Sequence, residues 1–286
     1  MNIGLIGTGS MGTALGKLLI KAGYRVSAWN RTSAKAIQLK DAGALVEEDL
    51  ISLLRKSDFI IICVADYQSS YAILKSIQLT AGELSGKTFI QLSTGTPEDA
   101  RAFKDWIRPT GVSYLDGAIM STPSQMGTEE AMMLIAGDKI TFEKHSNILQ
   151  TLAPNTRYMG AGISLASAWD LALLSYFFAA LIGVAHAAKI AEAEGIEISE
   201  LGSSIQEWSP GFGAIMKDAA DMIATGSFEN TESTVKTCFI SSELIQRHAE
   251  QAGISMKYPE FATNIFAAAM RSGMANEDGV AIFKTL

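Results

Sequence analysis

The first twelve residues, Met1-Asn2-Ile3-Gly4-Leu5-Ile6-Gly7-Thr8-Gly9-Ser10-Met11-Gly12, run as a short apolar strand that turns on glycines straight into an alanine- and leucine-rich helix. Gly7 permits the tight turn, Gly9 lets the backbone approach a pyrophosphate, and Gly12 lets the helix pack on the strand. The helix start at Ser10 and Met11 offers unpaired N–H groups to phosphates. A bare glycine spacing also occurs in purely structural turns. Here the strand before it, the helical stretch over residues 13–22 and the Gly23 stop complete a dinucleotide-binding unit.

The end of the next strand, Tyr24-Arg25-Val26-Ser27-Ala28-Trp29, selects the dinucleotide. An NAD site places an acid there for the ribose 2′-hydroxyl, whereas this chain continues Asn30-Arg31-Thr32-Ser33 with Lys35 following. Arg31 presents a planar fork of donors to a 2′-phosphate, and Thr32, Ser33 and Lys35 add hydroxyls and a point charge. NADPH or NADP+ is therefore the expected cofactor. The alternative is an exposed basic turn in which Thr32 or Ser33 merely caps a helix. Further along, Cys63 and Val64 close a buried strand, and Ser93 and Thr94 follow another, so all four are expected beside the cofactor.

Strand and helix signals alternate as far as about residue 160. Apolar runs at 59–64, 88–92, 114–119 and 132–136 are separated by helical or loop stretches, with a helix expected over 47–56. This is the rhythm of a doubly wound, mostly parallel α/β sheet. Beyond it the strand signals stop. A long apolar helix runs to about Glu194, followed by helical patterns at 214–224, 235–252 and 260–272, broken at Gly195, Pro210, Gly226, Gly253, Pro259 and Gly273. The expected organisation is a Rossmann domain over residues 1–160, an interdomain helix over 161–194 and an all-helical domain over 195–286.

With 286 residues and a net charge of −7, the chain has room for two domains and an acidic surface that disfavours nucleic acid or an anionic membrane as partner. Residues 171–188 are long and apolar enough to span a membrane. Asp170 at their head and the charged continuation through Lys189, Glu192 and Glu194 favour a helix buried in a multi-helix protein. No secretory leader precedes the first strand, so a cytoplasmic location is expected. Cys63 and Cys238 stand apart without metal-ligand spacing and read as reduced packing residues, and His145, His186 and His248 form no paired metal motif. His186 itself reads as a hydrogen-bonded core residue. The uncharged helix exposes more apolar surface than one small bundle covers, which implies a second subunit packed around it.

Several motifs in order carry a family resemblance: Gly7 to Gly12, Asn30-Arg31-Thr32, Leu92-Ser93-Thr94-Gly95-Thr96-Pro97, Asp116-Gly117-Ala118-Ile119-Met120 with Pro123, and the long central helix. Together they resemble the β-hydroxyacid dehydrogenase superfamily and, within it, the imine reductases. The resemblance implies a 6-phosphogluconate dehydrogenase-like Rossmann domain, an interdomain helix and a helical domain exchanged between the subunits of a homodimer. It also implies NADPH-dependent hydride transfer to a small imine, with the amine as product.

The departure from the parent superfamily is informative. Hydroxyacid dehydrogenases carry a lysine near the start of the interdomain helix and an asparagine four residues on. This chain reads Ser167-Ala168-Trp169-Asp170-Leu171-Ala172-Leu173-Leu174, which puts Asp170 and Leu174 in those places. The superfamily's carboxylate-binding Ser-Gly-Gly segment is replaced by Ala118-Ile119-Met120-Ser121-Thr122-Pro123. Hydride adds readily to a protonated C=N carbon, and a carboxylate favours that cation by about 4 kcal/mol at 4 Å and an effective dielectric near 20, before desolvation. An ammonium there would repel it. Asp170 is accordingly the expected catalytic residue, as proton donor or electrostatic stabiliser, against the plainer possibility that it only caps the helix. Met120, Pro123, Met126, Leu174, Phe177, Trp208 and Phe212 are expected to line the substrate pocket, the last two from a bend at Pro210. Two further activities compete: an NADP-dependent β-hydroxyacid or semialdehyde dehydrogenase, and a non-catalytic NADPH-binding protein.

Overall fold

A computed structural model describes residues 1–77, 79, 80, 82, 84–229 and 231–286. The chain divides into two compact units, Met1–Ser175 and Tyr176–Leu286.

The first unit is built from β1 (Asn2–Ile6), α1 (Ser10–Lys21), β2 (Arg25–Trp29), α2 (Ser33–Lys40), β3 (Leu45–Val46), α3 (Leu50–Lys56), β4 (Phe59–Ile62), α4 (Tyr67–Lys75), β5 (Thr88–Gln91), α5 (Pro97–Ile107), β6 (Ser113–Ile119), β7 (Met132–Gly137), α6 (Lys139–Leu152) and β8 (Asn155–Gly160), and it includes the start of α7 (Leu165–Ala193). The strands form one sheet in the order β3-β2-β1-β4-β5-β6-β7-β8, in which only the β6–β7 pair is antiparallel. Both faces are covered. One carries Ile3, Leu5, Phe59, Ile61 and Ile90 with Leu15 and Leu19 of α1, and the other carries Ile6, Ile60, Ile62 and Phe89 with Phe103 and Ile107 of α5. A parallel strand buried on both sides has no polar face, which is why β4 is Phe-Ile-Ile-Ile.

Ile6 lies level with Trp29 on one side and Ile62 on the other, so β1, β2 and β4 end together. The strand order reverses at β1, and a ligand crevice opens at such a switch point outside the carboxyl ends of the strands. Cys63 and Val64 leave the ladder there rather than prolonging β4. The helix expected over 47–56 is shorter: Leu45 and Val46 pair with β2, and Asp49 caps α3 by accepting from the Ser52 amide at 2.8 Å. Thr96 and Asp99 form a reciprocal capping box at the head of α5. β8 had no sequence signal, because its Asn-Thr-Arg-Tyr-Met-Gly lies half-exposed at the sheet edge and lacks an apolar run.

The second unit holds the remainder of α7 with α8 (Ile198–Thr225), α9 (Val235–Gln251) and α10 (Lys257–Arg271). Its core gathers Phe228, Val235, Ala269, Met274 and Ala281. Pro210 does not break the chain as expected: α8 runs through it. Proline's φ is already helical and its cost is the missing N–H and the crowding of the preceding turn; no residue of α8 is buried in this chain, so the ring has room there. His186 is buried against Tyr258 with ring centroids 5.2 Å apart, but its Nε2 has no hydrogen-bond partner among the described residues, so the expected hydrogen-bonded core histidine is only half realised.

Candidate active site

At the switch point lies a cleft of about 420 Å³ lined by Gly7, Gly9, Ser10, Met11, Gly12, Asn30, Arg31, Thr32, Lys35, Cys63 and Val64, together with Trp29, Ala65, Ser69 and Ile73. None of these side chains is acidic. The glycines cannot be replaced for different reasons. Gly7 adopts a φ of +96°, and a Cβ there would sit 2.2 Å from the Cys63 carbonyl oxygen; a Cβ on Gly12 would sit 2.1 Å from that of Gly7. A Cβ on Gly9 would meet no atom within 4 Å, so the space over Gly9 is open for a ligand's approach. Gly9 is also the N-cap of α1 and has no side chain to satisfy the first-turn N–H groups, which remain available to phosphate oxygens. The cradle therefore fits a dinucleotide.

Asn30 braces this floor. Its carboxamide oxygen accepts from the Thr8 amide at 3.1 Å and its Nδ2 donates to the Thr32 carbonyl at 3.0 Å. Thr32 stands at the N-cap of α2 without a side-chain cap bond, so its hydroxyl is free to face the cleft with Arg31 and Lys35.

Ser93 and Thr94 stand outside the cleft. Ser93 is buried, and its hydroxyl accepts from the Val64 amide at 3.1 Å, fixing the wall that Val64 forms; Thr94 points outward, exposed. Cys63 has its thiol pushed up to about 12 by burial, which keeps it protonated and unreactive, and both cysteines are free.

Asp170 lies in the second turn of α7, five residues beyond its first residue, and so is not a cap. It is 7 % exposed, burial raises its pKa, and among the described residues no group hydrogen-bonds its carboxyl. A charge on Asp170 raises the pKa of Asp116 on β6. The Tyr67 hydroxyl donates to Asp116 Oδ1, and the Tyr114 hydroxyl donates to the same oxygen at 3.3 Å. Oδ2 is buried with no hydrogen-bond partner among the described residues. Asp116 was visible in the sequence inside an apolar strand, and an acid in that position was the signal for a role.

Of the other expected pocket residues, Met120, Pro123, Met126 and Leu174 belong to the first unit and Phe177, Trp208 and Phe212 to the second. Met126 belongs to the sheet core with Leu15 and Ile135, where an unbranched side chain fills the space between α1 and the sheet. Met120 packs beside Ala118, Leu134 and Ala166, Pro123 is exposed on the loop after β6, and Leu174 is half-buried. In the helical unit Phe177 is exposed on α7, and Trp208 and Phe212 lie together on α8 with ring centroids 6.1 Å apart. Trp29, Ser69 and Ile73 of the cleft were not anticipated; the strand end of β2 and the first turns of α4 follow from the same switch-point rule.

Residues 2–160 match the NAD binding domain of 6-phosphogluconate dehydrogenase, and residues 162–286 match the C-terminal domain of NADPH-dependent reductive aminase-like proteins. An NADPH-dependent reductive aminase from Aspergillus oryzae is 29% identical over 281 residues, covering 97% of this chain and 94% of that one. A cytokine-like nuclear factor N-PAC from Drosophila melanogaster is 25% identical over 282 residues, 98% of this chain but 46% of the longer protein. The solved imine reductase from Myxococcus stipitatus in complex with NADP+ superposes with a TM-score of 0.93 at 29% identity, covering 99% of each chain. The chain belongs to the 6-phosphogluconate dehydrogenase NAD-binding family and, within that superfamily, to the imine reductases.

Proposed function

We propose that Asp170 faces the reacting bond in the NADPH-dependent C=N reduction that this chain catalyses, and that its substrates are small imines or iminium ions, cyclic ones among them. The observation that carries this is a carboxyl in a helix interior, on a residue 7 % exposed, with no hydrogen-bond partner among the described residues and its pKa raised by burial. A carboxyl partly withdrawn from water and without a protein partner favours either a proton or a nearby cation.

NADPH, when bound, supplies the hydride. Gly9 and the open first turn of α1 receive the pyrophosphate, and Arg31, Thr32 and Lys35 receive the 2′-phosphate. Toward a neutral imine, the raised pKa of Asp170 suits it to give its proton to nitrogen: the carboxyl O–H breaks as the N–H forms, and solvent reprotonates the carboxylate afterwards. Toward an iminium already formed, the carboxylate balances the positive charge. A negative group here disfavours a hydroxyacid, whose own carboxylate and developing alkoxide call for cations.

The same proposal makes the protein a cytoplasmic homodimer. Tyr176, Phe177, Leu181 and Ile182 of α7 and Trp208, Phe212 and Ile215 of α8 are exposed apolar side chains, and α7 has the length and mean hydropathy of a membrane span. Apolar surface on this scale is covered by a second copy in a soluble oligomer. Sedimentation at micromolar concentration tests it, and a stable monomer would refute it.

The catalytic assignment is tested by NADPH consumption with cyclic imines beside β-hydroxy acids, for the parent and Asp170→Ala. The expected result is imine turnover only, reduced about a hundredfold or more in the variant with NADPH affinity unchanged. Turnover within a few-fold of the parent would remove Asp170 from the mechanism.

A further inference from the structure

Asp116 is 1 % exposed on a strand buried on both faces, yet it is ionisable and absent from the cofactor cleft. Two hydroxyls, from Tyr67 on α4 and Tyr114 on its own strand, converge on one oxygen, and the other oxygen is unpartnered among the described residues. A carboxylate buried with one bare oxygen is unstable, whereas a carboxylic acid needs a donor on one oxygen and an acceptor near its own proton. Ser167, whose hydroxyl donates to the Ser164 carbonyl at 3.2 Å, is near enough to Asp116 to oppose the upward shift that burial gives it.

Ser167 is one helical turn before Asp170, and a negative charge on Asp170 raises the pKa of Asp116. The groups that face Asp116 are thus Tyr67, Tyr114, Ser167 and Asp170, with Asp99 of α5 acting on the Tyr67 hydroxyl. Two carboxyls in one poorly solvated place do not ionise together.

We propose that Asp116 is a positioning residue for imine reduction: it is the proton-holding partner of Asp170, and by staying neutral it lets Asp170 carry the pair's single negative charge toward an iminium substrate. This rests on the reading of Asp170 as the group that faces the C=N bond. It adds that the pair, rather than Asp170 alone, sets the pH range of activity. Burial, opposed by the tyrosine and serine hydroxyls and reinforced by Asp170, pushes Asp116 up to about 7, so its ionisation falls near neutral pH.

The test is the pH profile of kcat for the parent, Asp116→Asn, Tyr67→Phe and Asp170→Ala, with NADPH affinity and thermal unfolding alongside. The parent is expected to show an inflection near neutral pH. In Asp116→Asn, which is neutral at every pH, that inflection disappears. Tyr67→Phe removes a donor that favours the ionised form, so the inflection moves to higher pH; this variant decides the matter where Asp116→Asn does not fold. An inflection that persists unmoved in both variants, or a kcat lowered equally at all pH values, would overturn the proposal. The carboxylic C=O infrared band assigned by its loss in Asp116→Asn gives a readout without turnover. In Asp170→Ala it is expected to titrate at lower pH, because the neighbouring charge is gone. A band that moves while Asp170→Ala keeps its kcat would retire the catalytic reading of Asp170 and leave the coupling standing; a band that stays would retire the coupling.

Discussion

The carboxamide oxygen of Asn30 accepts a hydrogen bond from the Thr8 amide at 3.1 Å, tying the loop after β2 to the glycine turn after β1. Asn30 therefore shapes the cleft from beneath. Its replacement by alanine strands the Thr8 N–H in a half-buried place and frees the Thr32 carbonyl. The expected cost is about 1–3 kcal/mol, divided between folding and cofactor binding. Asn30→Ala should lower the thermal midpoint and weaken both NADPH and NADH, as measured by cofactor fluorescence. Weakening of NADPH alone would mean that Asn30 touches the 2′-phosphate.

Arg31 should behave in the opposite way. It lines the cleft with Lys35 and Thr32, where no lining side chain is acidic, and a hydrogen bond to a charged group is worth about 1.5–3 kcal/mol. Arg31→Ala is expected to weaken NADPH by roughly ten- to a hundredfold while NADH and the thermal midpoint stay where they were. Equal loss for both coenzymes would place the guanidinium elsewhere.

The fold was legible because its signals are local and periodic. The apolar run of β4, the glycines after β1 and the loss of strand patterning past residue 160 each follow from burial or backbone sterics. β8 and the unbroken α8 were not legible, since an edge strand needs no apolar run and a proline tolerates a helix whose flank is open. At the site, the residues gathered around the cleft are close in sequence to strand ends and could be found there. The roles of Ser93 and Asp116 were not, because each depends on a partner from another element: the Val64 amide for one, the Tyr67 hydroxyl for the other.

Gly9 and Gly95 separate binding from folding. A Cβ on Gly9 points into open space with an ordinary φ of −67°, so Gly9→Ala should fold with an unchanged thermal midpoint and bind NADPH at least tenfold more weakly, the methyl standing where the pyrophosphate approaches. A Cβ on Gly95 would fall 2.3 Å from Cδ2 of the Tyr67 ring. That ring is buried and anchored to Asp116, so Gly95→Ala should lose about 1–3 kcal/mol in urea unfolding. A Gly95→Ala protein as stable as the parent would show that Tyr67 moves without cost.

Part of the first unit's stability is acid-sensitive through His145. It is 2 % exposed, its Nε2 pairs with the Thr88 hydroxyl at 3.0 Å, and its ring lies 4.5 Å from that of Phe59. Burial, with Lys144 nearby, pushes its pKa down to about 4 from the usual 6.5. Below 6.5 the unfolded chain takes up a proton that the folded imidazole refuses until about pH 4, so the unfolded state binds more protons across that window. Stability is therefore full above the unfolded value and falls as pH drops through the folded one, by about 3 kcal/mol in all. Asp116 has the opposite sign, since its folded pKa is raised and its contribution is lost as pH rises through about 7. Urea midpoints measured from about pH 4 to 7 for the parent and His145→Gln, which keeps a polar partner for Thr88 but cannot be protonated, should therefore differ by an amount that shifts against the parent toward acid, the Asp116 contribution being common to both and cancelling. A difference between the two that stays constant with pH would assign the acid sensitivity to other groups.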